Sequence, residues 1–453
     1  MKASILVMGG FFLWQPVFAQ HEHHSMGDTS HPKMEMEMGR DGMQMDHSMH
    51  EMPTHSFSRN LPMNRNGSGT SWLPDASPMY MLMKQGRNTD WFLHGSVFVR
   101  YTNTGIFKKS PRAAGKPDAP NWFMGMMNKK VGNRGLLNAT VMVSLDRITE
   151  GGMGYPLLLQ SGETYRGRLL VDRQHPHDLF SGITLGYTQM LSKEADVFAS
   201  VGYPGEPALG PPAFMHRISA MNNPDAPLGH HWQDATHISF GVATIGIRYK
   251  TVKAEGSVFN GREPDEERYG FDALRLNSYS YRLSWNPAQN WAFQFSQGFV
   301  HEPELKEPGV NVRRTTASVL YSKQRGADQQ YDAALVWGYN DKGAGHKEQS
   351  ILFEDNHRFG KNAIYSRYEF VQKSTEELDL EDQLGDRVFP VHVFALGYNR
   401  TLVEKAKGAL AIGAQFKLNF IPSGLRELYG RVPAGGEIYI QLRPALHKHE
   451  GRQ

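Results

Sequence analysis

The sequence predicts an all-β protein, a transmembrane antiparallel β-barrel of about 16 strands (range 14–18) behind a disordered N-terminal tail. Two observations support this prediction. From about residue 90 onward, segments of roughly ten residues alternate between apolar and polar side chains, and helical periodicity is nearly absent. The connections between these segments alternate between long and short, as they do in outer-membrane barrels, whose periplasmic turns are short.

Residues 1–19 are predicted to be a signal peptide. Lys2 supplies a positive charge, residues 5–17 are mostly apolar, and Val17 and Ala19 place small residues at both recognition positions of a cleavage site. The apolar run is too short, and too often interrupted, for the roughly 20 residues of a membrane-spanning helix. We therefore expect the chain to be exported from the cytoplasm.

Residues 20–60 are predicted to be a disordered tail that binds metal. Positions 21–55 hold seven His and eight Met, and the whole chain has 0 Cys. Thioether sulfur is soft and suits Cu(I), while imidazole accepts either oxidation state of copper. The expected ligands are His21, His23, His24, Met26, His31, Met34, Met36, Met38, Met43, Met45, His47, Met49, His50, Met52 and His55. The alternative is a polar, low-complexity linker without a metal.

Residues 61–90 are predicted to be a linker or a segment in the lumen, and residues 91–453 to form the barrel. In Ser278–Trp285, for example, one face holds Tyr279, Tyr281, Leu283 and Trp285, and the other holds Ser278, Ser280, Arg282 and Ser284. A soluble sandwich would alternate likewise, but with shorter strands. The predicted strands are 91–101, 121–128, 137–146, 180–190, 195–203, 236–248, 251–259, 277–286, 290–299, 313–323, 329–339, 348–355, 361–371, 391–401, 408–418 and 436–443.

The connections between these strands alternate in length without exception and so orient the barrel. Short turns lie on the periplasmic side of outer-membrane barrels, and long loops lie outside. An even number of strands brings both ends of the barrel to the side of the short turns. We therefore expect the protein in the bacterial outer membrane, with the tail and the C-terminus in the periplasm.

Two long loops, 147–179 and 204–235, contain most of the remaining histidines. Only one hairpin separates the loops, so both emerge at the same rim of the barrel, where their polar groups could converge. The candidate metal ligands are His175, His177, Asp178, Met215, His216, His230, His231, Asp234 and His237. Two alternatives remain open: the loops are structural segments folded into the lumen, or the histidines belong to a catalytic site.

Five motifs in the first half of the chain are specific in sequence: GTSWLPDASPMY (69–80), YPLLLQ (155–160), DRQHPHD (172–178), GEPALGPPAFMHR (205–217) and GSVFNGREPDE (256–266). Through them, roughly residues 69–267 resemble a largely uncharacterised family of Gram-negative outer-membrane β-barrel proteins associated with copper and heavy-metal efflux systems. The tail, with His47-Ser48-Met49-His50, resembles the Met/His-rich leaders of outer-membrane copper-resistance proteins. The resemblance implies an outer-membrane barrel acting beside a metal efflux system.

Other function classes are poorly supported by the sequence. The formal net charge is only +3, which argues against a nucleic-acid partner. Phosphate-binding loops, nucleophile elbows and paired zinc-protease histidines are absent from the sequence. We expect a protein, not an enzyme, that binds copper ions without an organic cofactor and contributes to metal tolerance or efflux. Its expected partners are outer-membrane lipids and a periplasmic or inner-membrane metal efflux system. The alternatives are a lipid-modifying enzyme of the outer membrane, with His175, His177, Asp178 and His237 as acid and base, or a plain diffusion porin.

Overall fold

The computed structural model describes residues 53–108, 110–343 and 345–447. The predicted signal peptide and every predicted ligand of the tail except His55 lie outside these residues. The metal binding predicted for the tail therefore stays a prediction.

The described residues form a closed antiparallel barrel of 16 strands, which confirms the predicted fold class. Each strand pairs with its neighbours in the chain, and the last strand closes the barrel on the first, with Leu442 opposite Val97. We number these strands β1 (Thr89–Asn103), β2 (Asn121–Val131), β3 (Gly135–Val143), β4 (Phe180–Met190), β5 (Ala195–Gly202), β6 (Val242–Tyr249), β7 (Val252–Phe259), β8 (Ser278–Trp285), β9 (Trp291–Val300), β10 (Val312–Arg325), β11 (Gln329–Gly343), β12 (His346–Phe359), β13 (Asn362–Ser374), β14 (Val388–Lys405), β15 (Gly408–Phe420) and β16 (Ala434–Arg443).

The alternating sequence pattern becomes an apolar outer wall and a polar inner wall. In β8, Tyr279 and Tyr281 are 58% and 48% exposed on the outside, whereas Ser280 and Arg282 are buried on the inside. Because successive side chains of a strand point to opposite faces, this arrangement places apolar groups where lipid would lie. Aromatic pairs such as Trp291 with Tyr321, at 4.5 Å between ring centroids, lie where strands meet the short turns.

One connection departs from the predicted alternation. β11 ends at Gly343 and β12 begins at His346, although the sequence pattern predicted a longer loop between these strands. The reason is strand length: β10 to β15 contain 13–18 residues each and continue beyond the other strands. Another strand is shorter than predicted: the strand predicted at 236–248 begins only at Val242. Residues 236–241 belong instead to a loop folded inside the barrel.

Short elements accompany the barrel. The short strands are Thr54–His55, Ser58–Pro62, Leu82–Lys84, Gly115–Asp118, Tyr155–Pro156, Thr164–Tyr165, Arg168–Leu169 and Arg173–Gln174. The 3-10 turns are Met63–Arg65, Phe214–His216, Ile218–Ala220, Ala235–His237 and Ser423–Leu425, and the α-helices are α1 (Asp146–Thr149), α2 (His230–Gln233), α3 (Glu381–Leu384) and α4 (Arg426–Tyr429). None of these helices, over the described ranges, is long and apolar enough to span a membrane.

Three segments fold into the lumen: residues 53–81, 144–179 and 203–241. The first contacts the short turns, where Asn60 donates to the Ser192 carbonyl and the Ala76 N–H donates to the Gln289 carbonyl. The prediction of a disordered tail as far as residue 60 is therefore wrong for residues 53–60. These residues form a buried hairpin instead, because Ser58 and Asn60 bind the carboxylate of Asp196 on the inner wall.

Buried ion pairs fix the third segment to the barrel wall. Arg217 donates to Glu354 of β12 at 2.6 Å and to Asp234 at 3.2 Å. Arg100 of β1 contacts Asp225 at 2.8 Å. Removing one partner of such a pair leaves an uncompensated buried charge, so these contacts specify how the segment sits in the lumen.

An apolar cluster holds the second segment near the long-loop end. The YPLLLQ motif contributes Leu158 and Leu159, which pack with Trp232 of the third segment and with Val391 of β14. All four side chains are buried. The motif therefore forms a core between the two lumenal loops and the wall, and it positions the histidines of both loops.

Candidate functional site

Five histidines from the two lumenal loops meet in one place, which we call the histidine pocket: His175, His177, His230, His231 and His237. Their ring centroids form a continuous set of neighbours, with separations of 4.9 Å for His230–His237, 5.4 Å for His230–His231, 5.5 Å for His177–His237, 5.9 Å for His175–His231 and 6.2 Å for His175–His177. The two loops thus approach each other closely inside the barrel rather than above its rim.

The local sequence explains how each loop presents its histidines. In the first loop, Pro176 separates His175 from His177 in an extended stretch that follows the short strand Arg173–Gln174. In the second loop, α2 carries His230 and His231, and the adjoining 3-10 turn carries His237. One turn of helix followed by one 3-10 turn keeps these three rings on neighbouring positions.

Hydrogen bonds to oxygen orient two of the rings. His177 Nδ1 lies 2.7 Å from Asp146 Oδ2, and His237 Nδ1 lies 2.9 Å from the Asp234 carbonyl oxygen. Carbonyl and ionised carboxylate oxygens only accept, so the facing ring nitrogen carries the proton in both cases, and the other nitrogen has a free lone pair. His175 Nε2 lies between an acceptor and a donor, 3.1 Å from Glu163 Oε1 and 3.5 Å from Gln174 Nε2.

These free lone pairs have no partner in the structure. His175 Nδ1, His177 Nε2 and His237 Nε2 are buried without a hydrogen bond, and so are both nitrogens of His231. The five rings line a cavity of about 10 Å³, roughly the space for one water-sized species. One water molecule has only two hydrogens to donate, whereas one cation can bind several lone pairs. The donor set therefore fits a metal ion.

The hydrogen bonds that the imidazoles donate away from the cavity are of the type found in metal sites. Metal-bound imidazoles generally donate their other N–H to a carboxylate or a backbone carbonyl, which fixes the tautomer and the ring orientation. His177 with Asp146, and His237 with the Asp234 carbonyl, have this arrangement. His230 does as well, since its Nδ1 lies 2.5 Å from Asp234 Oδ1.

The spacing of the rings is close to what one metal ion requires, but the ring nitrogens do not yet converge on one position. Over the described ranges, no group of three or more His, Asp or Glu side chains is already arranged to hold a metal ion. With metal–nitrogen bonds of about 2 Å, two imidazoles on one tetrahedral ion have centroids about 5 Å apart. The observed separations of 4.9–6.2 Å would reach this value through small side-chain rotations.

Charged groups surround the pocket. Arg268 is paired with Glu163 and, at 3.2 Å, with Asp178. Glu263 Oε1 lies 3.5 Å from His231 Nδ1. Glu163 and Glu263 against one arginine give the pocket an excess of negative charge, which favours a cation, whereas burial raises the pKa of Asp178 to about 8.

Burial favours the neutral form of three pocket imidazoles. It lowers the pKa of His175 and His237 well below the ordinary 6.5, and neighbouring histidines add to the shift. Burial also lowers the pKa of His230, although the Asp234 carboxylate opposes this effect. A metal binds the neutral imidazole, so these rings are in the binding form at neutral pH.

The structure places the predicted loop ligands in two different surroundings. His175, His177, His230, His231 and His237 are brought together, and Asp178 lines the same cavity. Asp234 lies behind the rings, bound to His230 and Arg217. Met215 and His216 face away from the pocket, because the 3-10 turn Phe214–His216 directs them toward methionines of β2 and β3.

His55 is the one predicted tail ligand that the structure describes. It is buried, and its Nδ1 accepts a hydrogen bond from the Phe57 N–H at 2.9 Å. His55 lies in the hairpin at the short turns and does not contact the histidine pocket.

Sequence reasoning missed three acidic residues beside the pocket: Asp146, Glu163 and Glu263. Glu163 lies in the same loop as His175. Glu263 lies in the GSVFNGREPDE motif, which is specific in sequence but to which the sequence analysis assigned no function. Asp146 was placed at the end of a strand, but it begins α1. The useful signal was the presence of carboxylates in the same motif-rich loops as the histidines.

Gly162 allows the close approach of the first loop to His231. Its φ is +106°, and a Cβ there would lie 2.3 Å from His231 Cε1. A larger residue would therefore displace the ring as well as strain the backbone. Glycine at this position is part of how the pocket is built.

The comparisons with known proteins concern the barrel. The chain is similar to Salmonella typhi OmpF in complex with daunomycin (TM-score 0.48, 8% identity, covering 80% of this chain and 100% of that chain). It is also similar to an anion-selective porin from Comamonas acidovorans (0.47, 10%, 78% and 99%) and to a loop-deletion mutant of OmpT, an outer-membrane protein of Vibrio cholerae (0.45, 9%, 79% and 99%). Neither a protein-family model nor a curated protein matches the chain. These likenesses carry no information about ligands.

Proposed function

We propose that this chain is an outer-membrane barrel that binds copper in the histidine pocket and through its His/Met-rich tail, and so contributes to metal tolerance or efflux. The single observation that carries the proposal is the convergence of five histidines on one small cavity, where four of them have a buried ring nitrogen without a hydrogen-bond partner. Buried polar groups without partners are costly, so a cluster of them calls for an occupant.

Copper is preferred to other metals for two reasons. An imidazole-rich site suits Zn, Cu, Fe and Ni, and among divalent ions copper generally binds most tightly. The tail adds eight methionines between positions 21 and 55, and thioethers favour Cu(I). The tail would capture copper in the periplasm, and the pocket would hold it in the lumen. A metal efflux system is the partner that such a role requires.

Two rival functions make different demands on the lumen. A plain diffusion porin needs an aqueous lumen, whereas three segments of this chain fold into the lumen. A lipid-modifying enzyme needs its acid and base groups within reach of lipid, whereas His175 and Asp178 are buried inside the barrel. Metal-independent conductance with unchanged copper tolerance would support the porin, and turnover of lipid would support the enzyme.

The test uses the full chain with the His and Met residues from 21 to 52 replaced by serine, here called the tail-silenced chain. We expect it to bind one Cu(II), with nitrogen couplings from several imidazoles in its electron paramagnetic resonance spectrum. The double substitution His175→Ala and His231→Ala should weaken Cu(II) binding by about 100-fold or more, because loss of even an outer-shell partner of a metal ligand can cost that much.

A matched control removes two imidazoles outside the pocket. His301 and His346 are 40% and 49% exposed at the side chain, so His301→Ala with His346→Ala should leave Cu(II) binding unchanged. Equal loss in both double variants, or no Cu(II) binding by the tail-silenced chain, would overturn the assignment to the pocket. At the level of the cell, a deletion strain should lose copper tolerance and regain it with the unaltered gene.

The tail has its own test, with full chains in which only the tail differs. Replacing its methionines by leucine should remove most Cu(I) binding while His-dependent Cu(II) binding remains. If both chains bind Cu(I) equally, the thioether argument is wrong. Protease added to intact cells should spare the tail, whereas cleavage of the tail from outside would contradict its periplasmic placement.

A further inference from the structure

A second cluster of potential ligands lies in the lumen, and it is built of sulfur. Six buried methionines pack together with Phe92, and Met83 and Met215 pack against them. The six are Met63, Met79, Met81, Met124, Met126 and Met142. We call the cavity that they line the methionine chamber.

The chamber is assembled from four parts of the chain. Met63, Met79 and Met81 come from the first lumenal segment, Met124 and Met126 from β2, and Met142 from β3. Met215 comes from the third lumenal segment. The sequence that precedes residue 53 is the His/Met-rich tail, so the tail is joined directly to a segment that supplies three of these sulfurs.

The methionines surround a cavity rather than filling the space between them. Its volume is about 160 Å³, enough for several water-sized species. His177 and His237 of the histidine pocket also line it. The two sites therefore share a wall, with imidazoles between them.

Packing alone does not explain why so many methionines line this cavity. Methionine is a good filler of irregular cores because it is flexible, and contacts between sulfur and aromatic rings add some stability. A filler role predicts methionines packed tightly, however, whereas these surround a cavity. Eight of the 22 methionines of the chain lie in or against this one cluster. Leucine or isoleucine would pack an apolar lumen at least as well.

Imidazoles in the chamber add a second, independent observation. His94 of β1 lines the chamber, and its buried Nε2 has no hydrogen-bond partner. His216 lies beside it, with its ring 4.7 Å from that of Trp122. An unpartnered nitrogen facing a cavity walled by sulfur is a mixed soft donor set.

We propose that the methionine chamber is a binding site for a soft monovalent cation, Cu(I), held by thioether sulfurs with His94 or His216. Thioethers and neutral imidazoles carry no charge, and the cost of burying an ion grows steeply with its charge. A site of neutral soft ligands therefore selects a monovalent ion over a divalent one.

Two charged groups on the chamber wall have partners of opposite charge or polarity: Asp146 is bound by His177, and Arg217 is bound by Glu354. Arg443 also lines the chamber, where it donates to the Pro444 carbonyl and lies over the Tyr80 ring. Burial and the neighbouring Asp146 raise the pKa of the Glu150 carboxyl well above its ordinary value, which favours its uncharged form. The chamber thus contrasts with the histidine pocket, which is surrounded by carboxylates.

The experiment uses Ag(I), a soft monovalent ion of the same class that does not change its oxidation state in water. The tail-silenced chain should bind Ag(I) with sulfur neighbours visible by X-ray absorption. The triple substitution Met124→Leu, Met126→Leu and Met142→Leu keeps the apolar volume but removes three sulfurs. We expect it to lose one equivalent of Ag(I) and the sulfur signal.

A matched control removes three methionines that do not line the chamber. Met127→Leu, Met153→Leu and Met190→Leu should leave both the stoichiometry and the sulfur signal unchanged. If the chamber variant retains its Ag(I) and its sulfur neighbours, or if the tail-silenced chain binds no Ag(I), the proposal is wrong.

Correct assembly is checked by the unheated migration of each folded barrel in a gel. Should the triple variant fail to assemble, Met215→Leu alone should weaken Ag(I) binding by about tenfold, as loss of a metal contact does. An unchanged affinity in that variant also rejects the proposal.

The methionine chamber and the histidine pocket can be tested independently. His175 and His231 line the histidine pocket but not the chamber. The His175→Ala and His231→Ala chain should therefore lose Cu(II) but keep Ag(I), and the chamber variant should do the reverse. Loss of both ions in both variants would mean one merged site and would reject a separate site for a monovalent ion.

Discussion

The histidine pocket and the methionine chamber share a wall but are held together by different forces. The pocket is fixed by hydrogen bonds and buried ion pairs, such as those of Asp234 with His230 and Arg217. The chamber is lined by flexible side chains whose contacts are mostly apolar. Directional contacts pre-organise a few positions, whereas apolar packing tolerates adjustment. The pocket should therefore be fragile to single substitutions and the chamber robust.

The largest expected effect is on the ion pair that anchors the pocket. Arg217→Met removes the cation that Asp234 and Glu354 share. It should cost about 3 kcal/mol of unfolding free energy, the lower end of the usual range, because Glu354 keeps its ion pair with Arg367. Denaturant unfolding of the barrel in lipid vesicles measures this, and Cu(II) binding should fall with it because Asp234 orients His230. A cost below about 1 kcal/mol, the level of an exposed pair, would mean that the anchor is not structural.

The next effect is a pH dependence to which three rings of the pocket contribute. Burial lowers the pKa of His175, His230 and His237, so the unfolded chain takes up protons near pH 6.5 before the folded one does. The contribution of these rings to metal-free stability is fully present above pH 6.5 and is lost as the pH falls below it. The slope should approach about 1.4 kcal/mol per pH unit for each ring.

Unfolding midpoints between pH 7.5 and 5 measure that slope. His175→Gln with His237→Gln should flatten it, because two of the three titrating pocket rings are gone. Thioethers do not titrate in this range and burial lowers the pKa of His216 to about 3, so Ag(I) binding by the chamber should vary little. An unchanged slope in the double variant would place the titrating groups elsewhere.

A smaller effect is expected where the first loop approaches His231. Gly162→Ala should weaken Cu(II) binding by about tenfold, because the added methyl group displaces the ring. Gly167→Ala is the control: its φ of +71° is also positive, but nothing lies within 4 Å of the added Cβ. Both variants should lose comparable backbone stability, of about 1–2 kcal/mol. Equal Cu(II) affinities would show that His231 is not a ligand.

The smallest effect should come from conservative changes in the chamber. Met63→Leu with Met79→Leu should cost less than about 1.5 kcal/mol per site in unfolding free energy, because the volume is nearly conserved. The same denaturation assay applies. A cost as large as that of Arg217→Met would mean that the chamber is as finely fitted as the pocket, and the contrast between the two regions would fail.

The sequence predicted the barrel well because its wall obeys a period of two. Tyr279, Arg282 and the other residues of β8 face the sides that alternation assigns to them. For His175 and His231 the sequence predicted only that their two loops emerge at the same rim of the barrel, not that the two rings are neighbours. That the loops fold inward depends on distant pairs such as Arg217 with Glu354, whose partners no local pattern connects.

The methionine chamber could not be predicted from local sequence for a related reason. Met124 and Met126 alternate correctly along β2, but the lumenal face of this strand is apolar, so alternation does not tell inside from outside. Met63 and Met142 are far apart in the chain and meet only through the closed barrel. Met215 and His216 show the converse error, since nearness in sequence to the pocket residues suggested a shared site.

The most direct test of the account is to locate copper by anomalous diffraction in crystals of the tail-silenced chain grown with Cu(II). The account predicts one strong peak inside the barrel, about 2 Å from Nε2 of His177 and of His237, with His175 or His231 completing the site. That peak should vanish in the His175→Ala and His231→Ala chain. Copper found only at exposed histidines such as His346, with the pocket rings unchanged, would contradict the account.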